Sequence, residues 1–247
     1  MKYLYIIASF IVMPSFAQEW EFSGQSIEPE EARELQQRAA EQGKNLMLVL
    51  GASWCGDSNA LIEQFNQPQF KKQLKQYYQV QLVDVGYFER GYELVSSYGE
   101  PVYYGTPTVI IVDAISGNIK NFDDWQYWTN ASKRSAESFN EYFFGKALRD
   151  DDDSHLSQIQ REQLASFKER QGERIKAGYD WVAPYLKEYK NSGAKKPPQS
   201  FIEKWVALAR FRNQVHSDIV AAYEQGRAAP SKPLELPSYP AQDWESL

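Results

Sequence analysis

The sequence predicts an α/β domain with a mixed sheet flanked by helices, followed by an all-helical extension. Three observations carry that prediction. Short apolar, β-branched runs alternate with helically spaced segments as far as Leu148. One of those runs ends in a tight-turn signal, Ser116-Gly117-Asn118, which requires an antiparallel partner. Beyond the acidic run Asp150–Asp153 only helical spacing recurs, until a proline-rich tail.

The elements follow in order. Glu19 to Phe22 suits a leading edge strand. Pro29 sits just inside a helix start, with Glu28, Glu30 and Glu31 where the helix dipole favours acids, and Gly43 ends that helix. Leu46 to Leu50 is apolar without alternation, the pattern of a strand buried on both faces. A helix carrying Leu61, Ile62 and Phe65 follows, breaks near Pro68 and resumes through Phe70, Leu74 and Tyr78. Val80 to Val85 is a second strand, Tyr92 to Val95 a short helix, and Thr108 to Val112 a third strand. The turn leads into a fourth strand, Ile119 to Phe122, and a helix over Ser132 to Leu148. In the extension, Leu156, Ile159, Gln163, Phe167, Tyr179, Val182 and Leu186 space a long helix with candidate breaks at Gly172 and Pro184. After a linker over Ser192 to Pro198, Ser200 and Glu203 form a capping-box pattern for a last helix ending near Gly226. The expected organisation is a leader over 1–17, the α/β domain over 18–150, the helical extension over 151–227 and a proline-rich tail over 228–247.

The chain has 247 residues and a net charge of −6, and 43% of it is hydrophobic, enough for a sizeable core. An acidic balance argues against nucleic acid, whose phosphates demand a basic surface. Lys2, the apolar stretch Tyr3–Met13, Pro14 and the small residues before Gln18 read as a secretory signal peptide cut after Ala17. No later run is long and apolar enough to span a bilayer, so no stable membrane insertion is expected once the leader is removed. The expected location is periplasmic or secreted. That compartment permits disulfides, yet the chain holds a single cysteine and cannot form one internally.

That cysteine lies in Ser53-Trp54-Cys55-Gly56-Asp57-Ser58, between a buried strand and a helix N-terminus. Unpaired backbone N–H groups of a first helical turn, together with the helix dipole, favour thiolate over thiol, and thiolate is the nucleophile. Ser58, one turn along, is placed to donate its hydroxyl to the sulfur, whereas the Asp57 carboxylate works against a second anion. Gly56 keeps access open, and Trp54 offers a flat apolar contact.

Trp54-Cys55-Gly56-Asp57-Ser58 after a buried strand, with Gly105-Thr106-Pro107-Thr108 before another, resembles the thioredoxin family over about Glu19 to Leu148. The resemblance implies a thioredoxin-like fold, with Cys55 as the exposed nucleophile and Pro107 in cis against it. It also implies that the Thr106 backbone pairs with an extended client segment. Trp54, Gly56, Asp57, Thr106 and Pro107 would then shape a substrate groove, and Cys55 with Ser58 would be catalytic. Two departures matter. Ser58 replaces the family's second cysteine, and Val49 stands where members often carry a buried acid. Cys55 could therefore form a mixed disulfide with a protein client that it cannot release by internal attack. Release would need a thiol from the client, a small molecule or a partner redox protein, which favours isomerase-like exchange or client retention. The alternative is a non-catalytic binding or scaffold protein with a degenerate site.

No cofactor is implied. His155 and His216 lack second ligands at metal-binding spacing, and Asp150–Asp153 lacks the glycine and glutamate of a calcium loop, so no metal is expected. Trp125, Tyr127 and Trp128 read as packing beneath the extension, and Trp181, Tyr185 and Tyr189 as the seal between the two regions.

Overall fold

The computed structural model describes residues 19–148 and 156–246. The expected leader, the acidic run Asp150–Asp153 and His155 lie outside the described residues. The chain runs α1 (Pro29–Glu41), β1 (Asn45–Gly51), α2 (Gly56–Asn66), α3 (Pro68–Tyr77), β2 (Tyr78–Asp84), α4 (Tyr92–Ser96), β3 (Thr108–Val112), α5 (Ala136–Phe143), α6 (Gln158–Asn191) and α7 (Gln199–Ala228). The sheet order is β2-β1-β3, with β1 parallel to β2 and antiparallel to β3. It is a thioredoxin-like arrangement: a small mixed sheet flanked by helices, continued by a mostly helical C-terminal region.

The missing alternation in β1 has a direct cause, since both faces of the sheet are covered. Leu46, Leu48 and Leu50 point with Val83, Ile110 and Val112 into a core shared with α1, α4, α6 and α7. Met47 and Val49 point with Leu82, Val109 and Ile111 toward α2, α3 and α5. The first core runs without a break into the extension through Phe167, Ile175, Tyr179, Leu208 and Val215.

Two expected strands do not form, and at each a side-chain amide satisfies backbone groups that strand pairing would have used. Beside β3, Asn121 accepts from the Ile111 N–H (2.8 Å) and donates to the Val109 carbonyl (2.8 Å). Ile119 therefore keeps only a single bridge to Val112, and Phe122–Asp124 coils into a 3-10 turn. At the other end of the domain, Asn66 accepts from the Trp20 N–H (2.9 Å) and donates to its carbonyl (2.8 Å), so Glu19 to Phe22 is not a strand. The helix expected from Ser132 starts only at Ala136, where the Ser135 hydroxyl accepts from the Ser138 N–H, and it ends at Phe143.

In the extension, α6 passes Gly172 and Pro184 unbroken for 34 residues. Gly172 is a contact point: a Cβ there would come within 2.8 Å of Pro101 in the domain below. The capping box lies at Ser157 and Gln160 of α6, whereas α7 begins at Gln199 after Pro198, with Ser200 already inside its first turn. Ile159 faces solvent. The proline-rich tail is irregular but not loose, because Leu234 and Trp244 are buried and the Trp244 indole donates to the Arg174 carbonyl (2.8 Å). No helix among the described residues is long and apolar enough to cross a membrane.

The aromatic residues divide differently from the sequence expectation. Trp125 packs beneath α7 with Tyr104 and Phe122, while Trp128 belongs to the opposite core with Phe139 and Phe143. Trp181 lies against Trp244 and Tyr189 against Phe201, and Tyr185 is exposed. The seal is Tyr179, stacked on Phe88 with ring centroids 4.2 Å apart, and Trp205.

Candidate functional site

The buried run of β1 ends at Gly51, the chain turns through Ser53 and Trp54, and Cys55 becomes the N-cap of α2 in an extended conformation. The first intrahelical bond joins the Asn59 N–H to the Cys55 carbonyl (3.0 Å), so the amides of Gly56, Asp57 and Ser58 have no partner inside the helix. The loop before β3 meets this corner from the other side. The Thr106–Pro107 peptide is cis. The Thr106 hydroxyl lies 3.4 Å from Cys55 Sγ, and the Thr106 carbonyl 3.5 Å from it. Cys55, Thr106 and Pro107 are thus brought together, in polar rather than purely apolar contact at the sulfur.

Other expected site residues are placed differently. Ser58 is fully buried, and its hydroxyl accepts from the Ala52 N–H (3.4 Å), tying α2 to the end of β1. The hydroxyl at the sulfur is that of Thr106, not Ser58. Asp57 Oδ1 accepts from the N–H (2.9 Å) and the hydroxyl (2.7 Å) of Ser132, which occupies the carboxylate within the protein. Gly56 is exposed, and nothing lies within 4 Å of where its Cβ would be. The resemblance implies an exposed nucleophile, whereas Cys55 is only 9% exposed, with the Thr106 carbonyl and hydroxyl against its sulfur. The Trp54 indole donates to the Gly86 carbonyl (2.7 Å), its ring stacks on Tyr87, and Trp205 of α7 meets it edge-on at 6.4 Å.

The extension reaches the Thr106 loop as well. The Tyr179 hydroxyl donates to the Tyr103 carbonyl (3.0 Å), and Arg212 Nη1 donates to the Tyr179 oxygen (3.3 Å). The guanidinium sits against Gly105, where a Cβ would lie 3.4 Å from Nη2 and 2.9 Å from Thr129. Burial pushes the phenols of Tyr103 and Tyr104 well up and that of Tyr179 up, with Arg212 pulling Tyr179 the other way, so all three stay neutral at ordinary pH. Sequence reasoning missed Trp205 and Arg212, although a signal was present. On α7 the apolar stripe runs Phe201, Leu208, Val215, Ile219, and Arg212 falls inside it, one heptad after Trp205.

Among the described residues, no group of three or more His, Cys, Asp or Glu is arranged to hold a metal ion. His216 packs against Tyr104 and Phe122, and its Nε2 lies 2.8 Å from the Phe122 carbonyl. A cleft of about 740 Å³ opens between α6 and the far end of β3, lined by Tyr98, Ile115, Leu164 and Lys168, and none of its lining residues belongs to the thiol corner.

A family model described as thioredoxin-like matches residues 29–114. A solved structure of a disulphide isomerase from Xylella fastidiosa Temecula1 is 29% identical, covering 47% of this chain and 85% of that chain with a TM-score of 0.41. No curated protein matches. With the helix-capping cysteine and the Thr106–Pro107 loop in place beside it, residues 29–114 form a thioredoxin-like domain, to which the chain adds a mostly helical C-terminal region.

Proposed function

We propose that this protein is exported and carries out thiol–disulfide exchange on protein clients through Cys55 alone. The observation that supports this most is the placement of Sγ at a helix N-terminus, with the Thr106 hydroxyl 3.4 Å away as a donor. In the forward step the Cys55 thiolate attacks one sulfur of a client disulfide. A Cys55–client disulfide forms, the original S–S bond breaks, and the departing client thiolate keeps the electron pair. The chain has no second cysteine to reverse this. When another client thiolate attacks the mixed disulfide, Cys55 is returned and the client leaves with rearranged pairing, with no net oxidation. Release by a small thiol or a partner redox protein would leave the client reduced and oxidise that donor. In this reading the Thr106 backbone and Trp54 would hold an extended client segment.

The second reading, a binding protein that uses the same groove without covalent chemistry, is favoured by one observation: Cys55 is 9% exposed. Trapping separates the two. The full chain and Cys55→Ser are expressed in bacteria, the periplasmic fraction is acid-quenched and alkylated, and disulfide-linked partners are resolved without reductant. Exchange predicts reductant-sensitive partners for the native chain and none for Cys55→Ser. Recovery of the same partners with both proteins by native co-purification, with no reductant-sensitive adduct of the native chain, supports the binding reading, and absence of the protein from that fraction refutes export.

A further inference from the structure

We infer that Arg212, in the helical extension, is a positioning residue for the thiol corner, an inference that rests on the exchange reading above. Arg212 is 7% exposed. Among the described residues no carboxylate pairs with it, and its Nε has no hydrogen-bond partner. The other buried cation of the extension, Lys168, has the opposite arrangement, with Glu100 as its ion-pair partner. An uncompensated buried charge opposes folding, so a protein that keeps one at an inner helix position keeps it for a local reason.

That reason lies beside it. Phe88, Tyr179 and Trp205 surround the guanidinium, with ring centroids 5.9, 5.7 and 5.3 Å away. The cage brings the group against Gly105, where a Cβ would lie in ordinary contact with Nη2 at 3.4 Å and too close to Thr129 at 2.9 Å, and where the φ of +151° favours glycine. Gly105 is followed by Thr106, whose side chain turns the other way, onto the sulfur. The loop is therefore held from both sides. Cys55 lies in front, and behind it Arg212, Tyr179 on the Tyr103 carbonyl and the Gln126 amide on the Tyr104 carbonyl (2.7 Å) fix its path. The same guanidinium puts an unneutralised positive charge behind the loop that faces the sulfur, which is negative when it attacks and again when it is released.

A merely structural arginine and a positioning arginine predict opposite patterns. The reaction of Cys55 with a neutral aromatic disulfide, dipyridyl disulfide, is followed at fixed pH by release of the pyridine thione, alongside thermal unfolding of the same samples. Arg212→Met removes the charge and keeps most of the volume. Its exchange is expected to be about tenfold slower, less than the roughly 10²–10³ lost with a direct donor because it acts through the loop. Its unfolding temperature is expected to stay level or rise, since an unpaired buried charge has gone. Arg212→Lys should recover most of the lost rate. Tyr179→Phe, which deletes one hydroxyl and leaves the cage, should also slow the reaction without unfolding the protein. If native Cys55 reacts readily and Arg212→Met reacts equally fast, the inference is overturned and the exchange reading stands. If both Arg212 variants are slow and less stable, Arg212 only packs, and the inference again fails. If folded native protein does not react at all, the exchange reading fails and takes the inference with it.

Discussion

Cys55 and Ser58 show how a side chain one turn away can serve the fold instead of its neighbour. Ser58 faces the end of β1, where a Cβ on Gly51 would come within 2.8 Å of its hydroxyl, and the N–H of Ala52 is the group it accepts from. The spacing still matters chemically. Residues three apart in a first helical turn lie within the roughly 4.4–6.8 Å Cα separation that a disulfide spans. Ser58→Cys is therefore expected to form an internal disulfide with Cys55 under mild oxidation, read as loss of both free thiols and of two hydrogens by mass spectrometry. Two persistent free thiols after oxidation would show that the buried position 58 cannot turn to the sulfur. In the reduced variant the new thiolate at position 58 should also attack the Cys55–pyridyl disulfide, closing the internal disulfide and expelling a second pyridine thione, a step the native chain lacks.

At the level of elements, the helices of the extension are shaped by what they approach. Gly172 lets α6 lie on Pro101, and Gly178 lets it lie against Leu208 of α7 and Trp244 of the tail, where a Cβ would come within 2.5 and 2.9 Å. Neither glycine breaks the helix, because close packing more than offsets their helix-propensity cost of about 1 kcal/mol each. Gly178→Val should destabilise the protein by about 1–3 kcal/mol through overpacking, measured by urea unfolding. An unchanged midpoint would mean that α6, α7 and the tail are not pressed together as described. The sheet edges obey related logic. Asn121 satisfies an N–H and a carbonyl of β3 that an added strand would otherwise take, and Asn66 satisfies the Trp20 backbone without a strand partner, so the described sheet has three strands.

Across the whole molecule, the domain and the extension share one apolar core with buried polar groups set into it. Burial pulls the Lys168 ammonium down, but Glu100 and Tyr223 outweigh it, leaving it above its ordinary value. His216 goes the other way. Burial lowers it first, Lys168 adds to that, and the Phe122 carbonyl and Asp124 oppose it only partly. The folded state thus holds His216 neutral, donating from Nε2 to Phe122. A depressed folded value means that this contribution to stability is fully present above the unfolded value of about 6.5 and declines as pH falls below it, because the unfolded chain takes the proton first. The urea midpoint of the native protein should therefore fall between pH 7.5 and 5. In His216→Gln, which keeps an N–H donor without titrating, that fall should be smaller. Parallel curves for the two proteins would show that His216 is not the group responsible.

The linear order of residues was enough to determine the alternation of strands and helices, the doubly buried character of Leu46–Leu50 and the helix that Cys55 caps, whereas the loop at Thr106–Pro107 was singled out only by the family resemblance. The first three depend on local pattern: run length, periodicity and capping chemistry act within a few residues. Tertiary structure alone decided that two expected strands give way to contacts with Asn121 and Asn66, that Thr106 rather than Ser58 reaches the sulfur, and that Tyr179, Trp205 and Arg212 complete the corner. The physical reason is distance along the chain. Each of those contacts joins residues far apart in sequence, and which donor meets which acceptor is settled only when the two cores pack around the sheet. Arg212 was passed over in the sequence although it lies inside an apolar stripe, and nothing in that stripe says that Gly105 is what it faces.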